Sequence, residues 1–445
     1  MVKDKIRIFF VAAALLLPAV CAFAQTSTTG TYGSFSPYSI YGIGEISRGG
    51  TAQSRSMGGV GVASRNRRFI NVANPAAVAV RDTLAFMADF GLYEDNKIYA
   101  QSGKRGAENT FNINDIVLSF PIWRSSAFLV GLSPFSDVGY SFSSKETDED
   151  KIAHVGNITY DSYGDGSLYQ LYASAGATFW KRFSVGAEFI YYFGKLDRNS
   201  NETFENSTYR SINYGTRLNL HGFTGKFGVQ YDQKLSPSVS MTLGATYRLG
   251  TKLRGYENHF AYASQSSVVD TIKSMTYTDT LAGASNAPRI ADELGVGISF
   301  RGGDRWSAEF NYLRSDWRGS NFESRKGFAA TGKANFSSTV SQSFRAGFEI
   351  VPNRNDIRYY MKRVAYRGGL YYDQDYFLMN GNRVDSYGVT FGVTLPVFRW
   401  YNGISLGVDI GRRGSSKGMM VSETYFKFVV GFNIHDVWFQ KPRYN

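Results

Sequence analysis

The sequence predicts an all-β chain, a transmembrane β-barrel of about fourteen antiparallel strands with its N-terminal segment plugging the lumen. Three observations carry this. Apolar residues recur at every second position through about fourteen runs, the connections between runs alternate between short and long, and the chain opens on an export signal.

Lys3, Lys5 and Arg7 precede the apolar stretch from Ile8 to Val20, and Ala22-Phe23-Ala24 before Gln25 completes the order of a secretory signal. Residues 1–24 are therefore set aside from the fold. The single cysteine, Cys21, falls in that piece, and Pro18-Ala19-Val20 before it does not have the leucine and small residues of a lipoprotein cleavage site. The mature chain is expected to have no disulfide or thiol chemistry. Of the formal charge of +12, the signal carries two units, so about +10 remains. This mild excess suits lipid phosphates and is too diffuse for nucleic acid. No later stretch approaches the roughly 18 consecutive apolar residues of a membrane helix. Aromatic residues make up 16% of the chain, with 47 glycines and 10 prolines, a mixture that fits walls alternating between lipid and lumen. A soluble β-sandwich or propeller is the competing class, and no propeller-type repeat is visible.

Residues 25–81 hold several glycines and no alternation, so they cannot be wall. Their small-residue stretch Met57-Gly58-Gly59-Val60-Gly61-Val62-Ala63 favours close packing inside something, and the segment is expected to be a hatch. The wall spans 82–438, with runs near 83–93, 113–122, 125–143, 168–180, 182–196, 220–233, 238–254, 290–301, 304–316, 340–351, 363–373, 385–397, 402–413 and 423–436. Residues 439–445 form a short periplasmic tail. In the fifth run Phe183, Val185, Ala187, Phe189, Tyr191 and Phe193 share one face, opposite Ser184, Gly186, Glu188, Tyr192 and Gly194. The last run repeats this with Phe426, Phe428, Val430, Phe432 and Ile434. Short connections, such as 180–182 and 301–304, are assigned to the periplasm. Long polar ones at 94–112, 144–167, 197–219, 255–289 and 317–339 are assigned to the outside. Tyr and Trp at run ends (Trp180, Tyr191, Trp306, Trp317, Trp400, Tyr401) read as interfacial girdles. Glu188, Arg248, Arg301, Glu309, Arg345, Glu349, Arg367 and Asp409 fall on inner faces, where they would partner a plug or line an open pore.

The hatch motif Met57, Gly58, Gly59 and Gly61, followed by Asn74, Pro75 and Ala76 just before the first strand, resembles the FadL/TodX family of outer-membrane fatty acid and hydrocarbon transporters, in particular its Bacteroidetes branch. Ser36-Pro37-Tyr38-Ser39-Ile40-Tyr41-Gly42-Ile43-Gly44, Tyr366-Arg367-Gly368-Gly369 and Trp438-Phe439-Gln440-Lys441 add to it. The resemblance spans the mature chain and implies a fourteen-stranded barrel, an internal hatch, and passive movement of hydrophobic molecules into the membrane. Two departures stand out. Arg65, Arg67 and Arg68 occupy a stretch that is acidic in classical members, and long apolar external loops are absent. The family shape also serves a secretion-associated protein that carries no lipid, so fold does not fix function.

The four histidines, His154, His221, His259 and His435, show no spacing for zinc or for a nucleophile's base. No catalytic, metal or cofactor site is expected. Glu146-Thr147-Asp148-Glu149-Asp150 with Asp161 and Asp165 offers oxygen ligands for calcium bridging lipopolysaccharide, or is a solvated loop tip. The arginine trio would meet a substrate carboxylate or pair with Glu188 or Glu309.

Within the third run, Leu132-Ser133-Pro134-Phe135-Ser136 breaks the alternation. Proline has no N–H for the ladder, so it marks a bulge or a break in pairing, or else ends the membrane part of the strand. In lipid the freed backbone groups need partners, and Asn74 is the hatch residue expected nearest. The resemblance implies an inward kink here, with Ser133, Pro134, Phe135 and Ser136 as a lateral gate for an apolar ligand. Transport of a hydrophobic small molecule is the leading reading, amid outer-membrane lipid and lipopolysaccharide. The alternatives are a structural or assembly barrel with protein partners and a polar porin.

Overall fold

An alternating strand has one lipid-facing and one lumen-facing side, and it finishes its backbone hydrogen bonding only when the sheet closes on itself. The computed structural model describes residues 33–81, 85–123, 125–206, 208–265, 268–281, 283, 285–329, 334–397, 402–415 and 420–437. The signal, the first residues of the predicted hatch (25–32) and the tail lie outside these.

Fourteen wall strands follow in order: β1 (Ala85–Gln101), β2 (Lys104–Trp123), β3 (Ser126–Lys145), β4 (Ile158–Phe179), β5 (Phe183–Phe204), β6 (Ser211–Lys234), β7 (Val239–Arg248 and Arg254–Gln265), β8 (Val268–Thr280 and Glu293–Gly302), β9 (Trp306–Asp316), β10 (Phe336–Ser338 and Val340–Ile350), β11 (Ala365–Met379), β12 (Asn382–Pro396), β13 (Gly403–Arg413) and β14 (Ser422–Val437). Each pairs antiparallel with its neighbours in sequence, and β14 closes the barrel on β1, from Ala85 opposite Val437 to Ala100 opposite Ser422.

The predicted faces are the observed ones. Phe189, Phe428 and Ile434 are exposed, while Ser184, Glu188 and Tyr192 are buried. Phe223, Phe310, Phe348, Leu370 and Phe391 extend the exposed apolar band around the circumference. Such a band is stable only against hydrocarbon, so the chain is a multi-pass barrel of the bacterial outer membrane. No described helix is long and apolar enough to cross a membrane, which says nothing of spanning by strands. At the end with short turns, Trp123 and Trp180 are 76% and 85% exposed, the position of an interfacial girdle.

Most of the stretches assigned to long external loops are instead strand. β1 and β2 run on to a two-residue turn at Ser102 and Gly103, both at positive φ (46° and 83°), so 94–112 is a hairpin. β4, β5 and β6 likewise continue through 158–167, 197–204 and 211–219, and 254–280 is a hairpin built on β6. Above the bilayer polar residues stand on both faces of a strand, buried ones such as Arg198, Ser200 and Glu257 included, so the apolar alternation that reveals strands is lost there. Residues 317–329 are not strand, and they turn inward: Trp317, Phe322 and Phe328 are completely buried.

Residues 33–81 hydrogen-bond to lumen-facing groups on strands all around the circle. Examples are Ser36 to Glu423 on β14 (2.5 Å), Arg48 to Asp409 on β13 (2.8 Å), Ala63 N–H to Glu309 on β9 (2.9 Å) and Arg65 to Ser184 on β5 (2.8 Å). The segment is thus bonded to inner faces on four strands spread around the barrel.

Phe189→Arg, in mid-band, is expected to destabilise the barrel by about 2–4 kcal/mol, whereas Ile98→Arg, beyond the band on β1, costs about 0–1 kcal/mol. Denaturant unfolding in lipid vesicles measures both, and equal costs would misplace the membrane.

Candidate functional site

The inner segment is held by small residues on both partners. Gly58 has φ of +72°, donates its N–H to the Thr390 hydroxyl (2.8 Å), and leaves no room for a Cβ, which would meet the Ala346 and Leu370 carbonyls at 2.9 Å. Across from it a Cβ on Gly369 of β11 would collide with the Gly58 backbone. The glycine stretch therefore lets two backbones touch. Asn74 caps the short 3₁₀ turn Pro75–Ala79: its Oδ1 accepts from Ala76 N (2.9 Å), and its Nδ2 donates to Val62 O (2.7 Å) and to Val229 O of β6 (3.3 Å). Pro75 at the first position of the turn needs no N–H partner, and Ala76 is fully buried. These contacts pack the motif residues against the inner face of the wall.

The third strand is interrupted where Pro134 stands. On one side β3 stays paired with β4, but Phe135 is extra: Pro134 faces Tyr169 and Ser136 faces Leu168. On the other side its pairing with β2 stops at Ile116 opposite Leu132. From there outward the free edge of β3 is met from inside. Glu45–Ile46 form a two-residue strand against Asp137 and Ser136, Ser47 N–H donates to Phe135 O (2.9 Å), Ser36 N–H donates to Gly139 O (2.7 Å), and Gly139 N–H donates to the Ser39 hydroxyl (3.0 Å). The edge of β2 is also engaged, with Asn112 and Asn114 donating to Gly33 O (3.2 Å) and Gly50 O (3.0 Å). Asn74 plays no part in this, contrary to the sequence expectation; it serves β6 and β7, and residues 33–50 do the work. The Ser133 hydroxyl accepts from Gln170 (3.0 Å), and the Phe135 ring lies against Tyr192 (4.7 Å) inside the lumen.

Between segment and wall lies a cavity of about 290 Å³. Eight carboxylates and eight cationic side chains line it, which makes it an ion-pair lattice and not an apolar pocket. Arg48 bridges Asp409 (2.8 Å) and Asp373 (3.2 Å) with its guanidinium 3.5 Å from the centre of the Tyr371 ring. Arg413 meets Asp375 (2.8 Å), and Lys97 meets Glu45 (2.7 Å). Burial opposes ionisation of Glu45, but Lys97, Lys427 and Arg413 outweigh it and hold the carboxyl well below the usual carboxylate range.

Outside the cavity, the segment, residues 317–329 and the strand residues Phe336 and Tyr376 form a packed aromatic roof. Tyr41 stacks on Phe336 (5.3 Å), Phe322 stacks on Phe328 (5.4 Å), Trp317 lies against Tyr376 (4.9 Å), and the Tyr376 hydroxyl donates to Gly44 O (2.8 Å). Sequence reasoning missed Glu45, Arg48 and this roof, because Glu45, Arg48 and Tyr41 find their partners 52 to more than 300 positions away in the chain. The buried polar cluster of Thr216, His259 and Glu257 is another juxtaposition that spacing did not reveal: His259 Nδ1 lies 3.1 Å from Thr216 Oγ1 and Nε2 lies 3.1 Å from Glu257. Glu257 also accepts the Gly327 N–H (2.6 Å), so this cluster pins the loop.

The arginine trio does not reach Glu188 or Glu309. Arg65 bonds Ser184, Arg68 pairs with Asp304 in a short turn (2.8 Å), and Arg67 is exposed; Glu309 is taken by the Ala63 N–H and Glu188 by the Ser174 hydroxyl. On the outer side Glu146 is pulled down to about 2, first by the Tyr160 hydroxyl and then by backbone N–H groups. Asp148 caps the helix Glu149–Val155. These carboxylates serve the loop itself.

A protein-family model described as BamG matches residues 1–445. The chain belongs to the BamG family. No curated protein matches this BamG-family chain. Solved structures that share its fold include the Pseudomonas putida toluene transporter TodX (15% identity, TM-score 0.55, covering 89% of this chain and 99% of that one). The Ralstonia pickettii toluene transporter TbuX is 16% identical, with a TM-score of 0.56 over 87% of this chain and 98% of the other. A Pseudomonas aeruginosa FadL homologue is 11% identical, with a TM-score of 0.54 over 92% and 100%. At these identities the likeness is one of fold.

Lys97→Met, which removes the hydrogen-bonded partner of Glu45 and leaves Lys427 and Arg413 to hold Glu45 and Asp95, is expected to weaken docking of the BamG-family chain's inner segment by about 1.5–3 kcal/mol, read as earlier protease cleavage within 33–81. A carboxyl depressed like Glu45 adds stability above its unfolded pKa and loses it only as pH falls through the folded value. The wild-type segment should therefore resist protease equally at pH 7 and at about pH 5, loosening only in stronger acid. Loosening between those two values would contradict the ion-pair assignment.

Proposed function

We propose that the chain is a sealed barrel that anchors or assembles other proteins at the outer membrane and passes no small molecule. The observation that carries this reading is the lumen: its space is a cavity lined by eight carboxylates and eight cationic side chains, beneath a roof whose aromatic rings pack against one another. A carrier of hydrophobic molecules needs a mostly apolar site of about 300–1,000 Å³. A scaffold needs a plug that stays in place, and the plug here is tied to nearly every strand. Neither role calls for a cofactor or for catalytic residues.

A second reading is favoured by the break between β2 and β3: passive transport of a hydrophobic molecule, acyl or aromatic, with lateral exit beside Ser133, Pro134, Phe135 and Ser136. It fits the solved neighbours named as toluene transporters, and it requires residues 33–50 to withdraw from the edge of β3.

One variant separates the two. The mature chain has no cysteine, and Ile46 lies opposite Ser136, so Ile46→Cys with Ser136→Cys would tie the plug to the interrupted strand. Scaffold function predicts that the oxidised form supports growth and outer-membrane integrity as well as the reduced form, and that mass spectrometry of gently extracted protein finds no stoichiometric lipid or hydrocarbon. A co-purified apolar ligand, with uptake lost on oxidation and restored by reduction, would sink the scaffold reading in favour of the transporter.

A further inference from the structure

We infer that the short-turn end of the barrel carries a docking face for an acidic protein segment, built from the arginines of the inner segment and the connection between β10 and β11 (351–364), with Ile357 as its apolar anchor. This deepens the scaffold reading and rests on it. The other turns at this end are brief, whereas this connection is long and folded by its own bonds. Val351 N–H donates to Arg305 O (2.7 Å), Asn353 N–H to Lys362 O (2.8 Å), and the Asp356 carboxylate accepts from the Arg358 and Tyr359 N–H groups (2.9 and 2.6 Å). The Tyr360 hydroxyl donates to Pro396 O (3.0 Å), tying the loop across to the next turn. On this fixed frame Ile357 is 93% exposed and Met361 61% exposed. A loop that holds isoleucine in water forgoes the burial of its side chain, which a pocket on a partner would recover.

The surroundings are cationic. Arg358 and Lys362 flank the Tyr359 ring at 5.3 and 4.7 Å, Arg363 lies 5.0 Å from the Tyr360 ring, and Arg305 and Arg67 are exposed. The acidic groups among them are already bridged, Asp304 to Arg68 (2.8 Å) and Asp356 to Lys362 (3.5 Å). Arg354 reaches Asp304 O (3.4 Å), and burial followed by the neighbouring charge of Arg68 pulls its guanidinium below its ordinary value. An added carboxylate would relieve that crowding. The geometry selects protein over lipid. Arg67 and Arg68 belong to the segment inside the lumen, at its mouth, while bilayer headgroups meet only the outer circumference of the ring of turns. An acidic chain crossing the mouth reaches both the arginines and Ile357.

The test uses the full chain in detergent and a fluorescein-labelled peptide of Glu and Leu residues, followed by anisotropy. Binding at low salt is expected to weaken at least tenfold in Arg354→Glu/Arg358→Glu/Lys362→Glu and severalfold in Ile357→Ser. The reversal Lys104→Glu/Arg105→Glu/Arg217→Glu at the opposite end is expected to change nothing; protease resistance of the barrel verifies that each variant is folded. Equal binding by the first triple variant, equal loss in the second, or complete displacement of the peptide by short-chain phosphatidylglycerol would overturn the proposal, the last by making the face a membrane contact. Lipid found in the purified protein would count against the scaffold reading without altering peptide binding, so the two failures are distinguishable.

Discussion

The constraint on which the rest of this structure depends is that a strand in hydrocarbon cannot leave its backbone unpaired. Thirteen of the fourteen seams of the barrel meet it by ordinary neighbour pairing. The seam between β2 and β3 does not, because Pro134 and the extra residue Phe135 turn β3 away at Leu132. The freed edge is paid for by residues 33–50, which supply a short strand, the Ser39 hydroxyl and two backbone N–H groups. The plug is thus part of the wall, and its removal would expose several polar groups at a cost of several kcal/mol each.

Around that seam the interior is organised by charge. Glu45 is the residue that joins the short inner strand to the lattice, since Lys97, Arg413 and Lys427 converge on it from β1, β13 and β14. Pairs of this kind contribute little net stability relative to apolar packing of the same shape, but breaking one partner is expensive. Their effect is to fix where the segment sits, and the contacts between Gly58 and Gly369 fix it a second time by steric fit.

Much of this was legible in the sequence, for reasons that differ by region. At membrane depth the contrast between lipid and lumen forces alternation, so Phe189 and Glu188 could be assigned to opposite faces from their order alone. The proline in β3 announced a bulge because no other residue lacks the ladder N–H. What was illegible lies where the contrast ends. The outer halves of β4 to β6 carry polar residues on both faces, buried ones such as Arg198 and Ser200 included, so they read as loops. The inner segment has no period to read, and its partners are set by the closure of a sheet hundreds of residues long. Asn74 was for that reason assigned to the wrong strand, and Arg65 and Arg68 to the wrong acceptors. The small residues of the motif pointed correctly to close packing, since that property is local.

The aromatic roof has a consequence for the cell envelope. A fourteen-stranded cylinder without contents is a hole through a permeability barrier, and here the insulation is shared between two parts of the chain that are far apart: Tyr38, Tyr41 and Ile43 near its beginning, and Trp317, Phe322 and Phe328 two-thirds of the way along. If the barrel is sealed as proposed, damage to either, by a misfolded loop or a cut near the N-terminus, would turn it into a leak for ions and small antibiotics, so the integrity of the membrane itself would report on whether this protein has folded correctly.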